Sequence, residues 1–167
     1  NCKFKVQNIN LNYNKIMVFR YVNDEFISET IYSGYYSGTD VLESTFVDLD
    51  QNGFLDYIIL FGKGNYFTFE VFFSNNFNDE PTEIFNGYLA GLDAIDFEIH
   101  DHDNDGDLDI IYAIAQGNYT YVKILTNDNG EFIEELLITE YYSGGDLVTL
   151  DVIDVDLNGE NEIVIAM

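Results

Sequence analysis

The sequence predicts an all-β fold built as an array of similar units, on three observations. One acidic loop occurs three times, starting at Asp48, Asp101 and Asp154, so the spacing is 53 residues both times. A fixed period of that length marks repeat architectures. The 167 residues include 13 Tyr and 14 Phe but one Pro, a composition that suits pleated, half-buried strands. No segment keeps apolar residues at i, i+3 and i+4 for three turns, so nothing reads as an amphipathic helix.

Shifting the chain by one period aligns far more than the loops, and no gap is needed. Tyr35-Tyr36-Ser37-Gly38-Thr39-Asp40 falls on Tyr88 to Asp93 and on Tyr141-Tyr142-Ser143-Gly144-Gly145-Asp146. Gly64-Asn65-Tyr66 falls on Gly117-Asn118-Tyr119, and Ile31, Ile84 and Leu137 coincide. Each period holds four apolar segments separated by turn residues, which predicts four strands. The first follows the acidic loop (56–61, 109–114) and the second follows the Gly-Asn-Tyr turn (66–73, 119–125). After a polar turn (74–79, 127–131) comes a short third strand (82–85, 135–139). The fourth (42–47, 94–100, 147–153) runs into the next acidic loop. The units are thus expected at about 3–55, 56–108 and 109–161, with a terminal strand at 162–167. Four-stranded units at this spacing are the pattern of β-propeller blades, and about three are expected here.

The loop itself predicts a metal. Loop one reads Asp48-Leu49-Asp50-Gln51-Asn52-Gly53-Phe54-Leu55-Asp56, and loop two reads Asp101-His102-Asp103-Asn104-Asp105-Gly106-Asp107-Leu108-Asp109. Loop three is Asp154-Val155-Asp156-Leu157-Asn158-Gly159-Glu160-Asn161-Glu162. Side-chain oxygens at positions 1, 3, 5 and 9, with the backbone carbonyl of Phe54, Asp107 or Glu160 at position 7, form the oxygen shell that Ca²⁺ prefers. The glycine at position 6 permits the tight turn. An EF-hand is excluded, because position 12 is Ile59, Tyr112 or Ile165, inside an apolar strand rather than a bidentate Glu. A single copy would read equally well as a metal-free Asx turn. Three copies of clustered, mutually repelling carboxylates point to about three Ca²⁺ sites. Their shells look filled by protein, so a catalytic metal is not expected.

These residues resemble the FG-GAP/VCBS-type repeats of integrin-like β-propellers. The closest stretch runs from Asp101 to Phe132, with its Asp-x-Asp-x-Asp-Gly-Asp-Leu-Asp-Ile-Ile core and the later Asn127-Asp128-Asn129-Gly130-Glu131-Phe132. Phe61-Gly62 stands where that family's Phe-Gly falls, although Ile114-Ala115 replaces it one period later and no Gly-Ala-Pro occurs. The resemblance implies structural Ca²⁺ within each blade, and an adhesive, carbohydrate-binding or assembly role outside the cytoplasm.

Charge and composition exclude other classes. Six Lys+Arg against 31 Asp+Glu give a net charge of −25, so a nucleic-acid or anionic-membrane partner is not expected. Cys2 is the only cysteine, which excludes an intrachain disulfide and a Cys-based zinc site. No apolar run is long enough to span a bilayer as a helix. No leader is readable either; together with the family resemblance this gives the expectation of a processed, extracellular or cell-surface protein. The tyrosines Tyr35, Tyr36, Tyr88, Tyr141 and Tyr142 read either as sugar platforms repeated once per unit or as packing between units. Asp40, Asp93 and Asp146 read either as turn caps or as ligand contacts. His100 and His102 have no accompanying nucleophile motif, and Asn118-Tyr119-Thr120 is a glycosylation sequon. The expectation is therefore a non-catalytic module, adhesive or structural, with a lectin or the non-catalytic part of a polysaccharide-acting enzyme as alternatives. Because the pattern begins and ends at one phase of the repeat, its partners are expected to be further blades of a longer chain or copies of itself, with glycans or cell-surface proteins as ligands.

Overall fold

A computed structural model describes residues 3–6, 13–35, 40–74, 80–88, 94–142 and 148–167. The all-β expectation is met: among these residues the regular elements are strands, arranged in four antiparallel sheets. The first sheet holds β1 (Lys3–Val6), β2 (Tyr13–Val22) and β3 (Glu25–Tyr35). The second is the meander β4 (Asp40–Val47), β5 (Asp56–Lys63), β6 (Tyr66–Phe72) and β7 (Thr82–Tyr88). The third repeats that order with β8 (Ala94–His100), β9 (Asp109–Gln116), β10 (Tyr119–Asp128) and β11 (Glu131–Tyr141). The fourth pairs β12 (Thr149–Ile153) with β13 (Glu162–Ala166). The strand entering each acidic loop thus pairs with the strand leaving it, so a unit counted from residue 56 to 108 takes its last strand from the next sheet.

Local chemistry sets the hairpins. Gly64 and Gly117 take φ +60° at the first central position of two-residue turns, the glycine requirement of a type II′ hairpin. Asn129 and Gly130 both have positive φ, as a type I′ turn demands, so β10 extends to Asp128 where a longer polar turn was expected. Ile31, Ile84 and Leu137, which coincide in the sequence, are the residues skipped by the pairing register of β3, β7 and β11. Each is the extra residue of a β-bulge, which bends the outer strand.

The sheets stack on their faces, and this explains the near-continuous apolar runs of the central strands. Ile110, Tyr112 and Ile114 point toward the second sheet, where they meet Leu60, Phe67, Phe69 and Val71. Ile111, Ala113 and Ala115 point the other way, toward Leu150 of the fourth and Val148 just before it. β9 is therefore buried from end to end, with only Gln116 part-exposed. β5 behaves alike, its Tyr57, Ile59 and Phe61 packing with Ile16 of the first sheet. The larger interface is aromatic: Phe69 sits edge-on to Phe97 at 5.2 Å and to Tyr112 at 5.7 Å. Such pairs contribute about 0.5–1.5 kcal/mol each beyond burial.

A second set of contacts links the sheets through their first strands. β8 lies against β4 on one side and β12 on the other. Glu43 on β4 accepts the Phe97 N–H of β8 at 3.1 Å, and Asp96 on β8 accepts the Leu150 N–H of β12 at 2.6 Å. Burial and the adjoining Asp96 carboxyl, helped by Glu98, push the Glu43 carboxyl up to about 8 despite the Phe97 N–H. Glu98 is itself raised, by burial and then by Asp151 and Asp96. A Glu43 carboxyl raised this far holds its proton more readily, which lessens the repulsion at this junction.

Two outcomes follow. A Cβ on Gly87 would come within 2.2 Å of the Phe67 ring, which is 2 % exposed and hemmed in by Phe69, Phe85 and Tyr112. Gly87→Ala should therefore cost about 1–3 kcal/mol in a urea titration; an unchanged midpoint would mean that the ring has room to move. The Glu43 carboxyl is raised in the folded state, so its contribution is complete below its ordinary value of 4.5 and is lost as pH rises toward 8. Melting temperature should fall by a few degrees between pH 5 and 8.5, and Glu43→Gln should flatten that fall. Parallel profiles for the two proteins would refute the raised Glu43 carboxyl as the cause.

Candidate metal loops

Each acidic loop closes around the carboxylate at its ninth position, which is also the first residue of β5, β9 or β13. Asp56 and Asp109 have no solvent exposure. Asp56 Oδ2 accepts the N–H groups of Leu49 at 3.0 Å and Asp50 at 3.4 Å, while Oδ1 accepts the Ser74 N–H at 2.8 Å. Asp109 Oδ2 accepts the His102 N–H at 2.8 Å and Oδ1 the Asn127 N–H at 2.9 Å. Glu162 accepts the Val155 N–H at 2.8 Å, the same bond one period on. These bonds draw the first half of each loop back over the strand it precedes.

That closure gathers charge. The carboxylates of Asp48, Asp50 and Asp56 offer oxygens within 4.8 Å of one another, as do Asp101, Asp103 and Asp109, and Asp154, Asp156 and Glu162. Positions 1, 3 and 9 thus converge as their spacing predicts. At position 1, Oδ2 accepts the glycine N–H in every loop: Gly53, Gly106 and Gly159 at 2.8, 3.2 and 2.8 Å. The other oxygens diverge. Asp48 Oδ1 and Asp101 Oδ1 are buried and have no hydrogen-bond partner, whereas Asp154 Oδ1 accepts the Asn158 N–H at 3.0 Å. A buried, unpaired carboxylate oxygen costs several kcal/mol unless a cation or donor meets it. The first two loops fit a hard cation on this ground, and the third, with that oxygen already engaged, fits less well.

Positions 5 and 7 show more than the spacing suggests. Asn52, Asp105 and Asn158 each turn Oδ1 onto the N–H two residues ahead, at Phe54, Asp107 and Glu160, at 2.9, 2.8 and 2.7 Å. These are Asx turns, and they show position 5 shaping the loop. The Asp107 side chain also accepts the Asn129 N–H at 3.0 Å, joining the loop to the β10–β11 turn. Gln51 Nε2 donates to the Gly106 carbonyl and ties loop one to loop two. A cleft of about 460 Å³ opens beside these loops, floored by Phe73, Ile84 and Phe132 and rimmed by Asp50 and Asp107.

The tyrosines form pairs across strands. Tyr88 stands edge-on to Tyr66 at 5.1 Å, and Tyr141 to Tyr119 at 5.4 Å. All four are exposed, between 45 and 64 %. Tyr142 is exposed beside them, and its N–H donates to the Asn118 carbonyl at 2.8 Å. Tyr66 and Tyr119 were legible only as turn flanks, because their partners lie 22 residues away. The Tyr35 backbone pairs with that of Tyr13 in β2, and Asp40 opens β4. Tyr36, Asp93 and Asp146 lie outside the described residues.

The chain matches no known protein family, no curated protein and no solved structure in the three comparisons made.

The loop backbone carries one local cost. Position 4 takes a left-handed conformation in every loop, at Gln51 (φ 55°), Asn104 (φ 60°) and Leu157 (φ 62°). Asn tolerates this region and Leu does not. Leu157 is 87 % exposed, so no packing offsets the strain. Leu157→Asn should stabilise the chain by about 0.5–1 kcal/mol in chemical denaturation. A destabilised variant would show that Leu157 makes a contact worth more than the strain.

Proposed function

We propose that the protein is a non-catalytic, calcium-stabilised repeat module that works outside the cell, secreted or at the cell surface, in an adhesive or structural role. On this reading the stacked four-stranded meanders are blades of a β-propeller of the FG-GAP/VCBS type. The observation that carries it is the convergence of three carboxylates in each loop, with buried, unpartnered oxygens at Asp48 and Asp101. Oxygen-only shells on irregular loops suit Ca²⁺ better than Mg²⁺, which demands near-ideal octahedral geometry, or zinc, which favours nitrogen and sulfur. Bound Ca²⁺ would neutralise the clusters and lock each loop onto its strand. Millimolar extracellular calcium matches the weak affinity of such modules.

The adhesive part of the reading rests on the surface. Paired, exposed tyrosines at Tyr66–Tyr88 and Tyr119–Tyr141 offer rigid, amphipathic contact area of the kind enriched at interfaces. Glycans and cell-surface proteins are the partners they suit, and further strands, from the same longer chain or from another copy, would complete the array. Among the described residues no helix is long and apolar enough to cross a membrane.

Calcium should raise the melting temperature. With sites of roughly 0.1 mM affinity, 10 mM Ca²⁺ adds about 2.7 kcal/mol per site, or several degrees each. Asp101→Ala with Asp103→Ala should remove one site's share, and Mg²⁺ should do much less than Ca²⁺. A thermogram unmoved by 10 mM Ca²⁺ would sink the metal role, and with it the reading built on it.

A further inference from the structure

Two strands of this chain stand at the same phase of the repeat. β1 and β13 both align with β5 and β9, the second strands of their sheets. In the second and third sheets that strand lies between a first and a third strand. Among the described residues β1 has only the third-strand neighbour, β2, and β13 only the first-strand neighbour, β12. Each presents one backbone edge with no strand against it.

β1 matches its place poorly. β5–β6 and β9–β10 share one register, with Tyr57 opposite Phe72 and Ile110 opposite Leu125. By that register Phe4 would stand opposite Phe19, but Lys3 stands there, one residue out of step. Lys5 is 53 residues before Ile58 and 106 before Ile111, both without solvent exposure. The common register would bury its ammonium, and a slip of one residue exchanges the two faces of a strand. β1 is left with four paired residues, where β5 and β9 each pair seven with the strand that follows. β13 has the opposite character. Its Ile163-Val164-Ile165-Ala166 is the apolar run of a strand covered on both faces, like Tyr57 to Leu60 and Ile110 to Ala113. Ile163 and Ile165 pack between the third and fourth sheets, but Val164, at the place of Ile58 and Ile111, is 41 % exposed. A central-strand sequence thus lies at an open edge, an arrangement that invites pairing with another chain.

We propose that β13 of one copy takes the place of β1 against β2 of a second copy, so that the chain assembles head to tail with itself. The common register puts Ile163, Val164, Ile165 and Ala166 opposite Phe19, Val18, Met17 and Ile16 of the second copy, and Glu162 opposite Arg20. The completed sheet runs β12-β13-β2-β3, the four-stranded order of the second and third sheets. Charge selects the same pairing. Residues 1–22 hold four of the six Lys+Arg and no Asp or Glu, whereas residues 146–167 hold six Asp and Glu and no Lys or Arg. A chain of net charge −25 repels its own copies over most of its surface, and at the basic stretch an acidic strand meets attraction instead. Donor and acceptor are different strands, so the contact is heterologous and passes from copy to copy. This inference rests on the array reading above and commits the added strand to a second copy; it stands without calcium at the loops.

Light scattering at concentrations up to roughly 0.1 mM should show the wild-type mass rising to multiples of the single chain. Val164→Lys adds a charge that one copy alone leaves in water, because Val164 is exposed there, but that assembly would bury. It should weaken assembly by roughly tenfold or more. Cross-linking identifies the strands. In a Cys2→Ser background, Met17→Cys and Ile165→Cys on different copies stand directly opposed, within reach of a disulfide. An equimolar mixture of the two single variants, one of them tagged, should oxidise to a covalent heterodimer. A wild-type chain of single mass throughout, or a Val164→Lys chain that assembles as the wild type does, would overturn the proposal. So would a double variant that forms its disulfide only within one copy, which places the contact inside the chain. Assembly and the calcium melting shift are separate readouts, so either reading can fail alone.

Discussion

A carboxylate at the entrance of a strand buried on both faces is the constraint from which the loops follow. β5 and β9 lie between neighbouring sheets, so their first residues, Asp56 and Asp109, begin inside the stack with no solvent exposure. A charge so placed is costly unless donors surround it. The donors it meets are backbone N–H groups of the loop it closes and of Ser74 or Asn127, at the end of the neighbouring strand. To deliver them the loop curls back on itself, which is why positions 4 and 6 take left-handed conformations. The same curl brings positions 1 and 3 onto position 9. In the first two loops the three-carboxylate cluster is thus the geometric consequence of burying one of its members; the third, with Glu162 part-exposed, keeps the same shape. Like charges held this close call for a cation, so the loop that satisfies the core also forms the candidate site.

Much of this was written in the residues, and what was not has a physical reason. The run Asp109 to Ile114 reads as a strand from its length and β-branched content. The convergence of positions 1, 3 and 9 follows from loop spacing, because those residues are close in sequence. Strand pairing does not, since Asp40–Val47 gives no local sign that it pairs forward across the acidic loop with β5. The alignment of Ile31, Ile84 and Leu137 was visible, yet a bulge is a property of two strands and cannot be seen in one. Tyr66–Tyr88 and Tyr119–Tyr141 were hidden for the same reason. Position 5 shows a different limit: an Asp or Asn oxygen can meet a metal or a loop N–H, and composition does not distinguish the two.

Stacking by apolar burial alone is not directional. Interdigitated side chains resist sliding, and directional bonds between the sheets set their stagger further. β4, β8 and β12 are edge strands of their sheets, with outward N–H groups that need partners. Glu43 meets one of these at Phe97, and Asp96 meets another at Leu150, at 54 residues' separation in both cases. Each carboxylate reaches from one first strand to the next and accepts a directional bond there. Moving a sheet by one residue would break both bonds between the sheets in a half-buried junction. The acids along this line, which by composition alone look like excess surface charge, therefore hold the register between sheets. The cost of that arrangement is the crowding of Glu43, Asp96, Glu98 and Asp151, and a retained proton is the simplest way for the junction to bear it.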